Sequence, residues 1–401
     1  MLVVQKYGGT SVGNLERLKS VADRVIATKK EGHQVVVVLS AQAGDTDRLL
    51  QEALQLSAEP DPRECDLLLA TGEQRSIALL ALHLKYRGVP AISLMGYQVP
   101  ILTDGLHRRA RIQGIGIEKI QRELSKGCVV VVAGFQGVTE DFEITTLGRG
   151  GSDTSGVALA AALKADLCEI YTDVDGVYTA DPKKVPEAKL LKKISYEEMM
   201  ELADGGAKVL QTRSVELAAK HGVPLKVRNS FNETAGTEVV PEEESLEKIL
   251  VAGITLNTNE AKVAIRRIPS MSGVLAKIFS PLAEAGINVD MIVENLGADG
   301  TTDLAFTVAK EELKRTMQLV EGVAKKLGAN KIEVAGDIAK ISVVGLGMRT
   351  HAGVAHRLFQ VLADLNITVQ MVSTSEIKVA LVIDVEEANK AIPILHKAFG
   401  L

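Results

Sequence analysis

The sequence predicts an α/β chain in two parts: an α/β/α sandwich around a mostly parallel central sheet, then two βαββαβ units with antiparallel sheets. Three observations carry this. Short runs of β-branched residues alternate with helical patterns up to about residue 230, as in strands buried on both faces. A polar, acidic stretch, FNETAGTEVVPEEESLEK, then breaks the alternation and reads as a linker. Beyond it the chain repeats itself: GVLAKIFSPLAEAGINVDMI from Gly273 aligns with GVAHRLFQVLADLNITVQMV from Gly353.

In chain order, the strand candidates are LVVQKYG, QVVVVLS, VPAISLM, CVVVVAG, LCEIYTD and VPLKVRN. Amphipathic or Ala/Leu-rich stretches such as NLERLKSVADRVIATKK and CDLLLATGEQRSIALLALHLKYRG lie between them. Each repeat reads strand, helix, strand, strand, helix. The first copy closes with a further strand, NKIEVAG, whereas the second runs through VEEANKAIPILHKAFGL and stops one strand short. KILVAGITLN, just after the linker, is a strand without a partner, so it is expected to complete the second unit, with the first inserted between.

Bulk properties bound the function. With 401 residues the chain exceeds one ordinary core, and 46 % hydrophobic with 24 % charged residues is globular. No run of eighteen apolar residues occurs, and MLVVQKYGG reads as a buried strand rather than a leader peptide. A net charge of −5 disfavours nucleic acid as a partner. Cys65, Cys128 and Cys168 stand far apart in apolar runs, as reduced core cysteines of a cytoplasmic protein do. Neither nucleic acid nor membrane is an expected partner.

The unusual residues gather after strands, where ligands bind in open α/β sheets. QKYGGTS sets Lys6 at a strand end before two glycines and two hydroxyls; it reads as a glycine turn with Ser11 as N-cap, or as a phosphate cradle. Neither a Walker A loop nor a Rossmann fingerprint is present. SAQAGDTD offers Ser40, Thr46 and Asp47, which a capped turn explains. TTLGRGGSDTSG reads either as a turn capped by Ser152 or Asp153, or as an anion site where Arg149 and helix N–H groups converge. Glu73, beside Gly72 in an apolar helical stretch, is either turned to solvent at a kink or a partner for a cationic amine. DVDGVY is a type I turn or a nucleotide pocket, with Asp173 near ribose or base and Tyr178 against the ring. Lys208, opening a helix after two glycines, opposes the helix dipole unless an anion sits beside it.

KYGGTS, TTLGRGGSDTS, TDVDGVYTADP and GAKVL, in this order and ahead of the paired repeats, resemble the aspartokinases of the amino-acid kinase superfamily, over essentially the whole chain. The resemblance implies an amino-acid kinase fold over 1–240. It implies a first ferredoxin-like ACT domain at 262–336, and a second formed by 249–260 with 338–401. It implies ATP-dependent phosphorylation of the L-aspartate side chain to 4-phospho-L-aspartate, with Mg²⁺ held mainly by the ATP phosphates. Lys6 and Asp153 would be catalytic, with Gly8, Gly9 and Ser40 at the transferring phosphate. Thr46, Glu73, Arg149, Gly150, Gly151 and Ser152 would surround aspartate. Thr172, Asp173, Tyr178, Lys183 and Lys208 would hold ATP. Lysine and/or threonine would act as effector near Ser270, Gly273, Val274, Asn288, Val289, Glu294, Thr374 and Ser375. A homo-oligomer through the ACT domains is implied, with an ACT-only subunit in some relatives.

One departure stands out: PSMSG, residues 269–273, replaces the family's Asp/Asn-x-Pro-Gly turn and puts Ser270 at an effector-contacting place. The rivals are a sibling kinase acting on glutamate, acetylglutamate or UMP, and a catalytically dead amino-acid sensor; the ordered motifs and intact Lys6, Arg149 and Asp153 oppose both.

Overall fold

The computed structural model describes residues 1–207, 209–242, 250–329, 331–351 and 353–401. These fall into two compact units. The first comprises Met1–Tyr178, Leu190–Asp204 and the described part of 208–244; the second comprises Thr179–Lys189, Gly205–Ala207 and the described residues from 250 onward.

In the first unit, eight strands form one sheet in the order Lys193–Ser195, Thr237–Val240, Leu225–Asn229, Leu167–Thr172, Leu2–Tyr7, Gln34–Leu39, Val129–Ala133, Ala91–Leu94. All neighbours run parallel except Leu225–Asn229 against Thr237–Val240. The valine runs are buried because helices cover both faces. Leu15–Lys30, N-capped by Asn14, and Thr71–Tyr86 place Leu18, Val21, Val25, Ile77 and Leu80 against Val35, Val37, Val129 and Val131. On the other face lies Gly151–Leu163, apolar nearly all round and buried along most of its length. It approaches so closely that a Cβ on Gly156 would stand 3.1 Å from the Lys6 Cβ. Leu2–Tyr7 lies between Gln34–Leu39 and Leu167–Thr172, where the strand order reverses. Loops diverge there and leave a crevice.

Two features differ from the sequence expectation. Thr237–Val240 lies inside the stretch expected to be linker, yet its β-branched TEVV forms a ladder with Thr237 and Val239 buried. Residues 101–146 also build a second, four-stranded sheet in the order Ile112–Ile115, Ile101–Thr103, Gln136–Val138, Ile144–Thr146. Its three- and four-residue strands are too short for a clear period-2 pattern.

The second unit holds two four-stranded antiparallel sheets, each backed by two helices. One orders Val289–Leu296, Thr301–Ala309, Glu260–Pro269, Lys331–Ala335; the other orders Gly253–Asn257, Ile338–Val344, Lys378–Asp384, Met371–Thr374. Gly253–Asn257 thus holds in the second sheet the edge that the closing strand Lys331–Ala335 holds in the first. The Ala252 N–H extends that pairing to the Val344 carbonyl at 2.7 Å. Between the repeats, buried Lys340 reaches Glu260 at 2.8 Å and also pairs with Asp290. The segment Thr179–Lys189 joins this unit's core: Ala180 and Val185 pack with Ile254 and Leu395, and the Thr179 hydroxyl meets His396 Nε2 at 2.8 Å.

Candidate active site

Gly8 and Gly9 follow Lys6 at the end of the switch-point strand. A Cβ on Gly9 would lie 2.9 Å from the Ala41 carbonyl, so only glycine lets this loop meet the loop after the second strand. The Gly8 N–H donates to the Tyr171 carbonyl at 3.2 Å, tying the glycine loop to the strand that ends at Thr172. Lys6, largely buried, forms an ion pair of 2.5 Å with Asp153 in the first turn of Gly151–Leu163. Ser11 is not the N-cap. Asn14 caps the helix, while Ser11 is buried against the Ser230 hydroxyl at 2.5 Å.

The turn-capping reading of TTLGRGGSDTSG also fails. The N-cap is Gly150, in the left-handed region at φ 70°, with no side-chain cap. Ser152 instead accepts a hydrogen bond from Ser40 at 2.8 Å, and Asp153 takes Lys6. Ser152 and Asp153 thus face other elements, and no side chain caps the N–H groups of the first turn.

A cavity of about 280 Å³ opens here, lined by Gly9, Ser40, Thr46, Glu73, Arg149, Gly150, Gly151 and Ser152, with Ala41, Gln42 and Phe135 among the other walls. Glu73 is not turned to solvent. The expected continuous helix breaks at Ala70 into Pro62–Leu69 and Thr71–Tyr86, and Glu73 falls in the first turn of the second piece, 2 % exposed. Gly72 permits this: a Cβ there would lie 2.7 Å from the Ala41 Cβ. Glu73 Oε1 accepts the Ala41 N–H at 2.8 Å, while buried Oε2 has no hydrogen-bond partner. Burial pushes the Glu73 carboxyl up to about 8, against the opposing pull of the Ala41 N–H. One wall is therefore a buried carboxyl with an unpartnered oxygen, and another is the Arg149 segment.

Thr172 and exposed Asp173 sit at the strand end beside the glycine loop; the Thr172 hydroxyl donates to Asp173 at 3.2 Å. Tyr178 donates to Asp175 at 3.3 Å. Asp175, unassigned from sequence, secures this turn by accepting from Asn229 at 2.6 Å and Asn232 at 2.7 Å, bonds that hold its carboxyl below the ordinary range. Lys183 belongs to the Thr179–Lys189 segment of the second unit. Lys208 lies outside the described residues. Phe135, a cavity wall with φ 68°, was also missed; its only trace in sequence is its place between glycines after CVVVVA.

The effector candidates fall on two sheets. Exposed Ser270 follows Glu260–Pro269, and its N–H donates to the Gly300 carbonyl at 2.9 Å. Gly273, at φ 79°, precedes Val274–Glu284, whose first residue Val274 is buried. Exposed Asn288 precedes Val289, which opens the strand carrying exposed Glu294. Thr374 and Ser375, both exposed, lie at the hairpin of the second sheet.

A glycine loop with a buried lysine stands at the sheet's switch point, beside a cavity lined by Glu73 and Arg149, and the profile of the amino acid kinase family matches residues 1–229. The ACT domain profile matches 266–323 and 341–399. An aspartate kinase of Stutzerimonas stutzeri is 54 % identical over 401 residues, covering 100 % of this chain and 97 % of that relative. Escherichia coli aspartokinase III in complex with aspartate and ADP (R-state) superposes with a TM-score of 0.85 at 26 % identity, all of both chains being covered. The same enzyme in complex with lysine and aspartate (T-state) gives 0.76 at 26 % identity over 99 % of each chain. The chain belongs to the aspartate kinases, enzymes that use a nucleotide and carry ACT regulatory domains.

Proposed function

We propose that the chain transfers the γ-phosphoryl group of ATP to the side-chain carboxylate of L-aspartate, giving 4-phospho-L-aspartate and ADP. The observation that carries this reading is Glu73, a buried carboxylate with one unpartnered oxygen on the cavity that Arg149 also lines. A zwitterionic amino acid satisfies both walls: its ammonium meets Glu73, and its α-carboxylate meets the planar fork of Arg149. Thr46, Gly150, Gly151 and Ser152 close around it.

The side-chain carboxylate is already ionised at neutral pH and needs no general base. One of its oxygens attacks the γ-phosphorus, the bond to the β–γ bridging oxygen breaks, and ADP leaves with that electron pair. Lys6 offsets charge on the transferring group, Asp153 holds the lysine in place, and the loop of Gly8 and Gly9 presents its backbone with Ser40 nearby. Thr172, Asp173, Tyr178, Lys183 and Lys208 receive the rest of ATP. Among the described residues no group of three or more His, Cys, Asp or Glu side chains forms a metal-ligating cluster. Magnesium would accompany ATP, held mainly by its phosphates.

On this reading residues 1–240 are catalytic, while 262–336 and the pair 249–260 with 338–401 are regulatory. Lysine and/or threonine act there, and the product enters lysine, threonine and methionine synthesis. ADP release measured with L-aspartate, L-glutamate, N-acetylglutamate and UMP tests the assignment. Turnover with aspartate alone supports it, and preference for another acceptor overturns it.

A further inference from the structure

The segment Leu147–Gly150 has little conformational preference of its own. Gly148 and Gly150 take φ of 77° and 70°, and Gly151 follows. Glycines lose the most freedom on ordering, so unaided they would leave Arg149 spread over many positions. The backbone that carries Arg149 therefore gains order from contacts outside the loop.

Two side chains far away in sequence supply them. Asp66, fully buried on Pro62–Leu69, accepts the Thr146 N–H at 2.9 Å and the Thr146 hydroxyl at 2.6 Å. It also accepts the Arg108 N–H at 3.0 Å and pairs with His107 Nδ1 at 2.9 Å. Arg213, in the first turn of Thr212–His221, donates one terminal nitrogen to the Leu147 carbonyl at 3.0 Å and the other to the Ala110 carbonyl at 2.9 Å. The Ala110 N–H in turn donates to the Thr146 carbonyl at 2.9 Å. Packing fits the same grip: a Cβ on Gly148 would lie 2.9 Å from the Arg108 carbonyl, and one on Gly150 would lie 1.8 Å from Gln211 Cγ. The two carbonyl bonds offset the desolvation of the half-buried Arg213 guanidinium and tie the Leu147 backbone to that of Ala110.

We propose that Arg213 and Asp66 are positioning residues, clamping Leu147–Gly150 so that Arg149 faces the substrate carboxylate. This rests on the assignment of Arg149 to aspartate. Without the clamp the loop remains able to reach the active arrangement, but each aspartate bound must first order it. The loss then falls on aspartate affinity rather than on phosphoryl transfer.

Steady-state kinetics of Arg213→Ala, Arg213→Lys and Asp66→Asn in the full chain test this, with Arg149→Lys as reference. Arg213→Ala should raise the aspartate KM roughly tenfold or more, keeping kcat within about threefold and the ATP KM within about twofold. Methylguanidinium at millimolar concentration should recover most of that loss. Arg213→Lys, which keeps the charge and reaches one carbonyl, should fall between, and it carries the test if the alanine variant does not fold. Asp66→Asn should repeat the Arg213→Ala pattern. Unchanged aspartate KM in the Arg213 variants, or equal losses for both substrates without rescue, overturns the clamp. If Arg149→Lys itself leaves the aspartate KM unchanged, the underlying site assignment fails instead.

Discussion

Replacing Glu73 by glutamine tests, through its proton, whether this residue binds the substrate ammonium. Burial holds this carboxyl up to about 8 in the free enzyme. With that value about a tenth of the molecules carry the carboxylate at pH 7, and about three-quarters do at pH 8.5. An ammonium pairs with the ionised form only, so the aspartate KM should fall about twenty-five-fold from pH 6.5 to 8.5 and level off above. Aspartate binding near pH 7 should release close to one proton. The sign for stability is opposite to that of a salt-bridged carboxylate. Below the ordinary carboxyl range Glu73 is protonated folded or unfolded and costs nothing; between that range and about 8 only the unfolded chain ionises, so the free enzyme loses stability as pH rises across this window and no further above it. Glu73→Gln keeps an acceptor for the Ala41 N–H, so the fold should persist while the aspartate KM rises roughly ten- to a hundredfold and loses its pH dependence. Initial rates at five pH values, with calorimetry in two buffers of different ionisation enthalpy, measure both effects. A flat wild-type KM profile without proton release refutes the assignment of Glu73 to the ammonium.

Other perturbations address separate links. Lys6→Ala should lower kcat by about two to four orders of magnitude with little change in aspartate affinity, since it removes charge felt in the transition state; a near wild-type kcat would take Lys6 out of the mechanism. Arg149→Lys should raise the aspartate KM on the order of tenfold through loss of the fork, and titration calorimetry with aspartate checks it. Lys340→Ala strands Glu260 and Asp290 without their shared cation and should destabilise the second unit by about 3–5 kcal/mol; urea unfolding with an unmoved midpoint would contradict this. Ala252→Pro deletes the N–H that meets Val344 and should weaken amino-acid inhibition more than catalysis. Inhibition curves with lysine and threonine decide that point.

The central sheet was legible because its valine runs are buried on both faces, and a continuous apolar run survives without any alignment. The place of Gly253–Asn257 was legible for a different reason: the second repeat lacked a strand that the first possessed, so an unpartnered edge demanded one. The short strands of 101–146 and the TEVV strand were not, because three or four residues carry too little period and TEVV sits in polar company. At the site, residue types pointed to Lys6, Glu73 and Arg149, whereas Asp153 looked like a cap and entered the site only through the family resemblance. What sequence could not tell was which way a side chain turns. Ser11 and Ser152 both looked like caps, yet their hydroxyls meet Ser230 and Ser40 across the fold, and the capping falls to Asn14 and to a bare Gly150. Asp66 and Arg213 drew no notice, since their partners, backbone groups for the most part, lie far away in sequence.

The central claim is that the phosphoryl group lands on the side-chain carboxylate of aspartate rather than on the α-carboxylate. Hydroxylamine trapping with ATP, Mg²⁺ and L-aspartate, followed by separation of the two hydroxamates, tests it directly. The account predicts the β-hydroxamate of aspartate in step with ADP, and its loss in Lys6→Ala. The α-hydroxamate, or ADP release without any hydroxamate, would contradict it.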